Sequence, residues 1–348
     1  MNIKQFIPAF DWLGSYNKEQ FKGDLSAGLT VGVMLIPQGM AYAMIAGLPP
    51  IYGLYASTLP LIIYALLGTS RQLAVGPVAM VSLLTAAGIG TLAEGGTELY
   101  IMLAITLAFM VGLIQFLLGI FRLGFLVNFL SHPVISGFTS AAALIIGLSQ
   151  LKHLLGIELA RSHHIHEILL QAFEKINEIN WVTFAIGIGG IFIIKGIKKI
   201  HKSIPGPLVL VIVSILLVFS LNLTTQGVKI VGAVPSGLPS FSMPDFSWAT
   251  LQSLLPVALA IALVSFMESI AVAKAIQSKH KNYKIVPNQE LIGWGLANIG
   301  GSFLQSYPVT GGFSRTAIND QSGAKTGMSS IISALLIMLT LLFLTPLF

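Results

Sequence analysis

An arginine behind two helix-breaking glycines lies in a polar stretch of an otherwise apolar chain. Gly311 and Gly312 end any preceding helix, so a new helix can begin at Phe313. Ser314 and Arg315 then fall in its first turn, where free backbone N–H groups and the positive end of the helix dipole are exposed. Together with a guanidinium, these groups predict an anion site.

A second ionisable residue lies within an apolar segment. Glu268 is near the middle of segment 250–276 and has no basic residue close in sequence. Because an ionisable residue inside a membrane is costly, both Glu268 and Arg315 indicate functional sites. Burial disfavours the charged form of an unpaired carboxylate, so Glu268 suits proton coupling. The alternatives are a snorkelling Arg315, and a Glu268 that is held by helix backbone or pairs with Arg315.

Gln38 and Tyr42 are polar residues on another apolar segment. Pro37 frees a backbone carbonyl and bends the helix, and Tyr42 follows Gln38 by one turn on the same face. The two side chains could line a cavity beside the anion site. Gln38 could equally bridge two packed helices, and the spacing leaves both interpretations open.

Composition indicates a polytopic membrane protein. The chain of 348 residues has a mean hydropathy of +0.85 and 9% charged residues, against about 25% in soluble domains. The net charge of +6 comes largely from lysine clusters that mark cytoplasmic loops, so we expect no nucleic acid. These clusters are Lys195, Lys198, Lys199 and Lys202, and Lys274, Lys279, Lys281 and Lys284. The N-terminus lacks the features of a signal peptide, so we expect the first span to be retained. It carries Lys4, Lys18 and Lys22, so we expect it to be cytoplasmic.

About eleven hydrophobic segments are long enough to cross or half-cross a bilayer. They lie at 24–46, 51–69, 74–91, 98–121, 124–150, 181–196, 205–222, 250–276, 287–303, 311–322 and 327–348. The ends of successive segments should lie alternately on the cytoplasmic and the outer side of the membrane. The positions of the basic residues follow this alternation only if the short segments 74–91 and 311–322 are counted as membrane crossings. We therefore predict half-helices there, each completed by an extended lead-in that lines a protein cavity.

The two short segments resemble each other, because each has helix breakers just before an apolar helix, at 75–79 and at 310–314. Val78 begins the first of these helices. Such a pair indicates an inverted-repeat transporter with its site at the bilayer midplane. A seven-plus-seven repeat also aligns Gln38 with Glu268 in depth. It implies about fourteen spans, so we expect about three beyond Phe348.

Catalytic and metal motifs are weak. The chain has no Ser-His-Asp order, paired intramembrane aspartates or zinc-protease motif, so we predict that it is not an enzyme. The run His163, His164 and His166 falls in a polar loop and is interpreted as solvated. With no cysteine, disulfides and thiolate ligands are excluded. We predict no metal and no cofactor.

Several motifs in order resemble the SulP family of anion transporters over nearly the whole chain. They are Asp24 to Val33, Ile36 to Ala43, Ala46 to Ser57, Gly68 to Pro77, Ser131 to Ala143, and the stretch from Ser306 to Thr316. The resemblance implies two inverted seven-span repeats divided into a core and a gate. It implies an N-terminal segment at 1–23, core spans at 24–121 and 250–348, gate spans at 122–222, and an extracytoplasmic linker at 223–249.

The resemblance also implies roles for particular residues. An anion would lie between the N-termini of spans 3 and 10, and Glu268 matches a carboxylate associated with cation coupling. The positions that match the family's anion site are Gln38, Tyr42, Val78, Gly312, Phe313, Ser314 and Arg315. Family members usually continue into a STAS domain and form dimers. We expect spans 12–14 and that domain to be missing here, a homodimer when full length, and a bacterial inner-membrane location.

The function expected from the resemblance is secondary transport of an inorganic oxyanion by movement of the core against the gate. Proton-coupled sulfate uptake is the first hypothesis. Sodium-coupled bicarbonate transport is the alternative, since no residue pattern fixes the anion or the cation. A hypothesis of another class is a fragment that binds an anion or assembles with a partner, without concentrative uptake by residues 1–348 alone. The bilayer and the coupling proton or sodium ion complete the expected partners.

Overall fold

The computed structural model describes residues 7–125, 150–159, 165–200, 206–230, 235–280 and 283–345, with isolated positions between 137 and 148. Most of predicted segment 124–150, most of the motif from Ser131 to Ala143, and His163 and His164 lie outside the described residues. Every other predicted segment contains a described helix. The chain is thus predominantly helical, as predicted.

The described first part of the chain runs from α1 to α6 and includes a short strand. The elements are α1 (Ala9–Leu13), α2 (Lys18–Ile45), α3 (Ile51–Tyr55), α4 (Leu59–Leu67), β1 (Val75–Gly76), α5 (Ala79–Ile89) and α6 (Glu98–Ile120). Asn17 and Gln20 form a capping box that fixes the start of α2. Pro37 lies inside α2 without ending it.

The middle and last parts of the chain continue the helical pattern. The middle contains α7 (Leu151–Leu155), α8 (Ile165–Glu174), α9 (Trp181–Ile200) and α10 (Gly206–Ser220). The last part contains α11 (Trp248–Gln277), α12 (Pro287–Ser302), β2 (Thr310–Gly311), α13 (Phe313–Gln321) and α14 (Met328–Leu339), which ends in a π-helical turn at Thr340–Leu344. Residues 1–131 with 233–348 form one compact unit, and residues 132–232 form another.

Three helices of the described chain are long and apolar enough to cross a bilayer: α2, α6 and α11. Shorter apolar helices lie in five other predicted segments of the described chain, at Ile51–Leu67, Ala79–Ile89, Trp181–Ile197, Val209–Ser220 and Met328–Leu344. The predicted half-helices at 74–91 and 311–322 are observed as β1 followed by α5 and β2 followed by α13. Each short strand supplies the extended lead-in that the sequence predicts.

The predicted segment at 51–69 contains two helices, because the helical backbone breaks between α3 and α4. Ser57 and Thr58 turn their hydroxyls back onto the carbonyls of Gly53 and Tyr55, at 2.7 and 2.6 Å. Pro60 lies in the first turn of α4 and has no N–H for an earlier carbonyl. These side chains satisfy the backbone where the helical ladder stops.

Two buried carboxylates hold the loops that precede β1 and α14. Glu290, on α12, accepts hydrogen bonds from the backbone N–H groups of Thr69 and Ser70, at 2.6 and 3.0 Å. It also accepts from the hydroxyls of Thr69 and Tyr64. Four donors can satisfy a carboxylate that water does not reach. The loop leading to β1 is therefore fixed from α12.

Asp24, on α2, does the same for the loop before α14. It accepts from the N–H groups of Lys325 and Thr326, at 2.6 and 3.0 Å, and from the Thr326 and Tyr16 hydroxyls. Burial of Asp24 is complete. Because a buried charge is costly without such donors, this loop is bound to the first long helix of the chain.

Helices α2 and α3 cross at a pair of glycines. A Cβ atom added at Gly53 would lie 1.9 Å from the carbonyl oxygen of Gly39. Only a residue without a side chain allows this approach, and Gly39 immediately follows Gln38. The crossing therefore fixes the part of α2 that carries the predicted anion-site residues.

Replacing Gly53 with alanine should separate α2 from α3 and lower the thermal unfolding temperature by several degrees, since overpacking costs about 1–3 kcal/mol. Gly189→Ala is the matched control, because a Cβ atom there meets no neighbour within 4 Å. Unfolding of both purified variants in detergent, followed by circular dichroism, checks the prediction. Equal stability of the two variants would contradict the observed approach of Gly39 and Gly53.

Candidate functional site

Two short strands bring the two half-helices together. β1 and β2 pair in antiparallel fashion, with Val75 opposite Gly311 and Gly76 opposite Thr310. Helix α5 begins just after β1, and α13 begins just after β2. An antiparallel arrangement of two strand–helix units is the one that inverted repeats are expected to produce.

The N-termini of α5 and α13 are uncapped in the described part of the chain. Their N-cap residues, Val78 and Gly312, have extended backbone, and neither helix start receives a side-chain cap hydrogen bond. The first N–H groups of a helix have no partner within the helix. Two such ends, starting from paired strands, offer fixed donors for an anion.

Arg315 lies in the first turn of α13 and is 1% exposed. Its Nη1 donates to the carbonyl oxygen of Pro77 at 2.5 Å, which ties the guanidinium to the start of α5. Its Nε and Nη2 are buried and have no hydrogen-bond partner among the described residues. The burial excludes the snorkelling alternative. Because buried polar groups are almost always paired, the two free nitrogens mark a place for an acceptor.

Gly76 and Gly312 have no side chains, so the Arg315 guanidinium can lie against the backbone that precedes α5 and the backbone that precedes α13. A Cβ atom at Gly312 would lie 3.0 Å from Arg315 Nη2 and 3.2 Å from Val78 Cγ1. One at Gly76 would lie 3.3 Å from the same Nη2. Gly76 also has a φ of +148°, which residues with a side chain rarely adopt. The glycines therefore bring Arg315 between the two helix starts.

Gln38 and Tyr42 lie one turn apart on α2 and hydrogen-bond to each other. Gln38 Nε2 donates to the Tyr42 hydroxyl at 3.0 Å. Gln38 Oε1 is buried without a partner in the described chain. Tyr42 and Tyr307 are both close enough to Arg315 to interact with its charge. The structure thus brings Tyr42, with Gln38 beside it, to the same region as Arg315.

Glu268 is also close enough to interact electrostatically with Arg315. Within the described residues, however, no ion pair of 4.0 Å or less joins the two side chains. Glu268 Oε2 is buried without a hydrogen-bond partner in the same part of the chain. The expected alternative in which Glu268 pairs directly with Arg315 is therefore not observed.

Phe313 and Ser314 occupy the first turn of α13 beside Arg315 but are exposed. The Phe313 ring is 66% exposed, whereas Val78 is buried. The two exposed side chains lie on the open side of the helix start, and Arg315 lies on its buried side. At this turn, therefore, Arg315 is a buried side chain, and Phe313 and Ser314 are exposed ones.

Sequence reasoning missed the residues that hold β2 in place. Asn298 bonds to Val309, and Ser269 bonds to the Gly311 N–H at 2.8 Å. Tyr307 shares a 3.0 Å hydrogen bond with Ser82 on α5. One signal could have found some of them: polar residues within apolar segments are costly, and that rule applies to Asn298 as it does to Glu268.

A helical membrane protein in which paired short strands open into two half-helices has the architecture of a secondary transporter. The family model of the sulfate permease family matches residues 21–348. The chain therefore belongs to the sulfate permease family, as its motifs predicted. This is a family of transporters, in agreement with the prediction that the chain is not an enzyme.

Sulfate transporters of Arabidopsis thaliana are among the curated proteins that the chain resembles. The chain is 44% identical over 355 residues to sulfate transporter 4.1, chloroplastic, covering 99% of this chain and 51% of that protein. It is 40% identical over 361 residues to sulfate transporter 3.1, covering 100% of this chain and 55% of that protein. The chain thus spans about half the length of the curated relatives it matches.

Solved structures share the fold. The chain matches the murine solute carrier 26 family member A9 anion transporter, in the inward-facing state, with a TM-score of 0.90 and 28% identity. That match covers 99% of this chain and 60% of the other. The transmembrane domain of a cyanobacterium bicarbonate transporter matches with a TM-score of 0.84 at 23% identity, over 95% and 85% of the two chains. The predicted fold class, a polytopic helical transporter fold, is confirmed.

Proposed function

We propose that the chain forms the anion-binding part of a membrane transporter and that its substrate is a small inorganic oxyanion, sulfate in the first place. The observation that carries the proposal is the buried Arg315 guanidinium. Among the described residues, two of its nitrogens have no partner, and they lie between two helix N-termini without a side-chain cap. A site of this kind favours a full negative charge over a neutral ligand.

The chemistry of the donors supports an oxyanion in particular. Guanidinium nitrogens form a planar fork that matches two oxygens of one anion. The N–H groups that begin α5 and α13 approach from fixed backbone, so they need no rearrangement to bind. The Ser314 hydroxyl and the Gln38–Tyr42 pair offer further polar contacts. Several oxygens on one small ligand can use all of these donors.

The relatives support the same substrate class. The plant proteins are named as sulfate transporters, and the murine protein is named as an anion transporter. We extend sulfate transport to this chain on the basis of 44% identity along almost its whole length. Because the chain spans about half the length of these relatives, transport by it is a proposal.

We propose that Glu268 couples transport to protons. Its Oε2, which has no partner within the described ranges, and its electrostatic interaction with Arg315 support this role, since a nearby negative charge opposes anion binding. Protonation would remove that charge. If transport instead depends on sodium and carries bicarbonate, that alternative replaces the proposal of proton coupling.

The division into core and gate remains a proposal as well. The compact unit of residues 1–131 and 233–348 supports the core, and the unit of residues 132–232 supports the gate. A homodimer of the full-length protein, a bacterial inner-membrane location and a cytoplasmic N-terminus stay predictions. Epitope accessibility in intact and permeabilised cells would test the orientation.

Radiolabelled sulfate should bind saturably to the purified chain in lipid nanodiscs. We expect unlabelled selenate to displace it, because selenate has the same shape and charge. Uracil at equal concentration should leave binding unchanged, because a neutral ring gains little from a guanidinium. Ionic strength is held constant with gluconate.

Two results would contradict the sulfate assignment. Displacement by bicarbonate at lower concentration than by sulfate, with sodium increasing the affinity at constant pH, would favour the bicarbonate alternative. Absence of saturable binding of either anion would reject the anion site itself.

A further inference from the structure

The segment between α12 and α13 is held by side chains from several helices. It runs through Tyr307 and Val309 to β2 in the buried interior of the protein and is not helical there. An extended backbone inside a membrane protein needs partners for its N–H and C=O groups, because no helical ladder satisfies them. The pairing of β2 with β1 supplies partners on one side only.

Asn298, on α12, supplies partners for the residue just before β2. Its Oδ1 accepts from the Val309 N–H at 2.8 Å, and its Nδ2 donates to the Val309 carbonyl at 3.1 Å. The amide thus bonds to both backbone groups of one residue, as a neighbouring strand would. Asn298 is 1% exposed, so no water competes for these bonds.

Helix α11 completes the support from another direction. The Thr310 hydroxyl donates to the Ser265 carbonyl at 3.0 Å and shares a hydrogen bond with the Ser269 hydroxyl. The next N–H, that of Gly311, donates to the Ser269 hydroxyl. The residues from 309 to 311 are therefore bound in succession by α12 and α11.

The position of this segment decides where α13 begins. Only Thr310, Gly311 and Gly312 separate Val309 from Phe313, the first residue of the helix. A shift of Val309 therefore moves the N–H groups of the first turn and the backbone of Arg315. Misplacement of binding groups by about 1 Å can cost a hundredfold in a preorganised site.

We propose that Asn298 is a positioning residue for anion binding: its side-chain amide acts as a substitute strand for Val309 and thereby fixes the start of α13. This inference rests on the proposed function, because it concerns the same anion site. Asn298 is not proposed to touch the anion.

Gln115 allows this role to be separated from general packing. Its side chain lies on α6 and accepts from the same Asn298 Nδ2 at 3.3 Å, and it donates to the Ser265 hydroxyl at 2.8 Å. Both amides are buried in the same region, yet the described hydrogen bonds of Gln115 include none to the segment from 307 to 311. Loss of Gln115 should therefore destabilise the protein without moving α13.

The test compares Asn298→Ala with Gln115→Ala in the purified full chain. Hydrogen–deuterium exchange read by mass spectrometry should show faster exchange in peptides that cover residues 305–318 for Asn298→Ala only. Sulfate affinity should fall about tenfold in Asn298→Ala and change less than about twofold in Gln115→Ala, even if both unfold at similar lower temperatures.

Equal exchange at residues 305–318 in the two variants would overturn the inference. Faster exchange there with unchanged sulfate affinity would overturn it too. If the wild-type chain binds no anion, the exchange result still decides whether Asn298 positions α13, so this failure differs from failure of the proposed function. If Asn298→Ala does not fold, Asn298→Asp replaces it, since it keeps the volume and the acceptor for the Val309 N–H but loses the amide donors.

Discussion

Sulfate affinity should fall well over tenfold when Arg315 is replaced with alanine. Removing one partner of a desolvated ionic contact costs about 2–5 kcal/mol, and Arg315 is buried with two nitrogens unpartnered in the described chain. Arg315→Lys should recover part of the affinity, because lysine keeps the charge but lacks the planar fork. Equilibrium binding of radiolabelled sulfate to the purified variants measures both effects.

Arg71→Ala is the matched control for this experiment. It removes the same unit charge, but Arg71 lies over the Tyr283 ring, 5.6 Å from its centroid, and makes no described contact with the strand–helix starts. We expect its sulfate affinity to stay within about twofold of wild type. Equal losses in the two variants would mean that net charge, and not the Arg315 site, attracts the anion. Wild-type affinity in a folded Arg315→Ala variant would reject the site.

The anion-site helix could be predicted because its signals are local. Gly311 and Gly312 lie directly before Phe313 and end any preceding helix, because glycine disfavours helical backbone. Arg315 follows within one helical turn. The same reasoning placed Val78 at the start of α5, where β1 and its glycine precede the helix. Charge alternation along the chain then required both short segments to count as crossings. None of these steps depends on knowing which helices are neighbours.

The residues that hold the site in place could not be predicted in the same way, because they bond to partners outside their own local sequence. Asn298 is 11 residues from Val309, and Glu290 is 221 residues from Thr69, to which it bonds. The sequence marks both as polar residues in apolar surroundings but does not identify their partners. The break at 56–58 was within reach, since Pro60 and the preceding hydroxyl residues are visible in the sequence. A hydropathy profile alone does not show this break in the helix.

Anion binding should become tighter as the pH falls, and Glu268→Gln should abolish that dependence. Protonation removes a negative charge that is close enough to interact with Arg315, and the free Oε2 has no described donor to stabilise the charged form. Glutamine imitates the neutral carboxylic acid, so the variant should bind sulfate at pH 8 about as tightly as the wild type does at low pH. Coupling energies between two sites are typically 1–3 kcal/mol, which corresponds to about five- to 150-fold in affinity.

Linkage gives a second measurement of the same coupling. If protonation of Glu268 strengthens sulfate binding, sulfate binding must also promote protonation, because coupling between two ligands is reciprocal. In weakly buffered solution, the wild type should take up protons when sulfate is added, and Glu268→Gln should take up none. Glu98→Gln, at the exposed start of α6, should behave as wild type. An unchanged pH dependence in Glu268→Gln, or tighter binding driven by sodium at constant pH, would show that the proton does not act through this carboxylate.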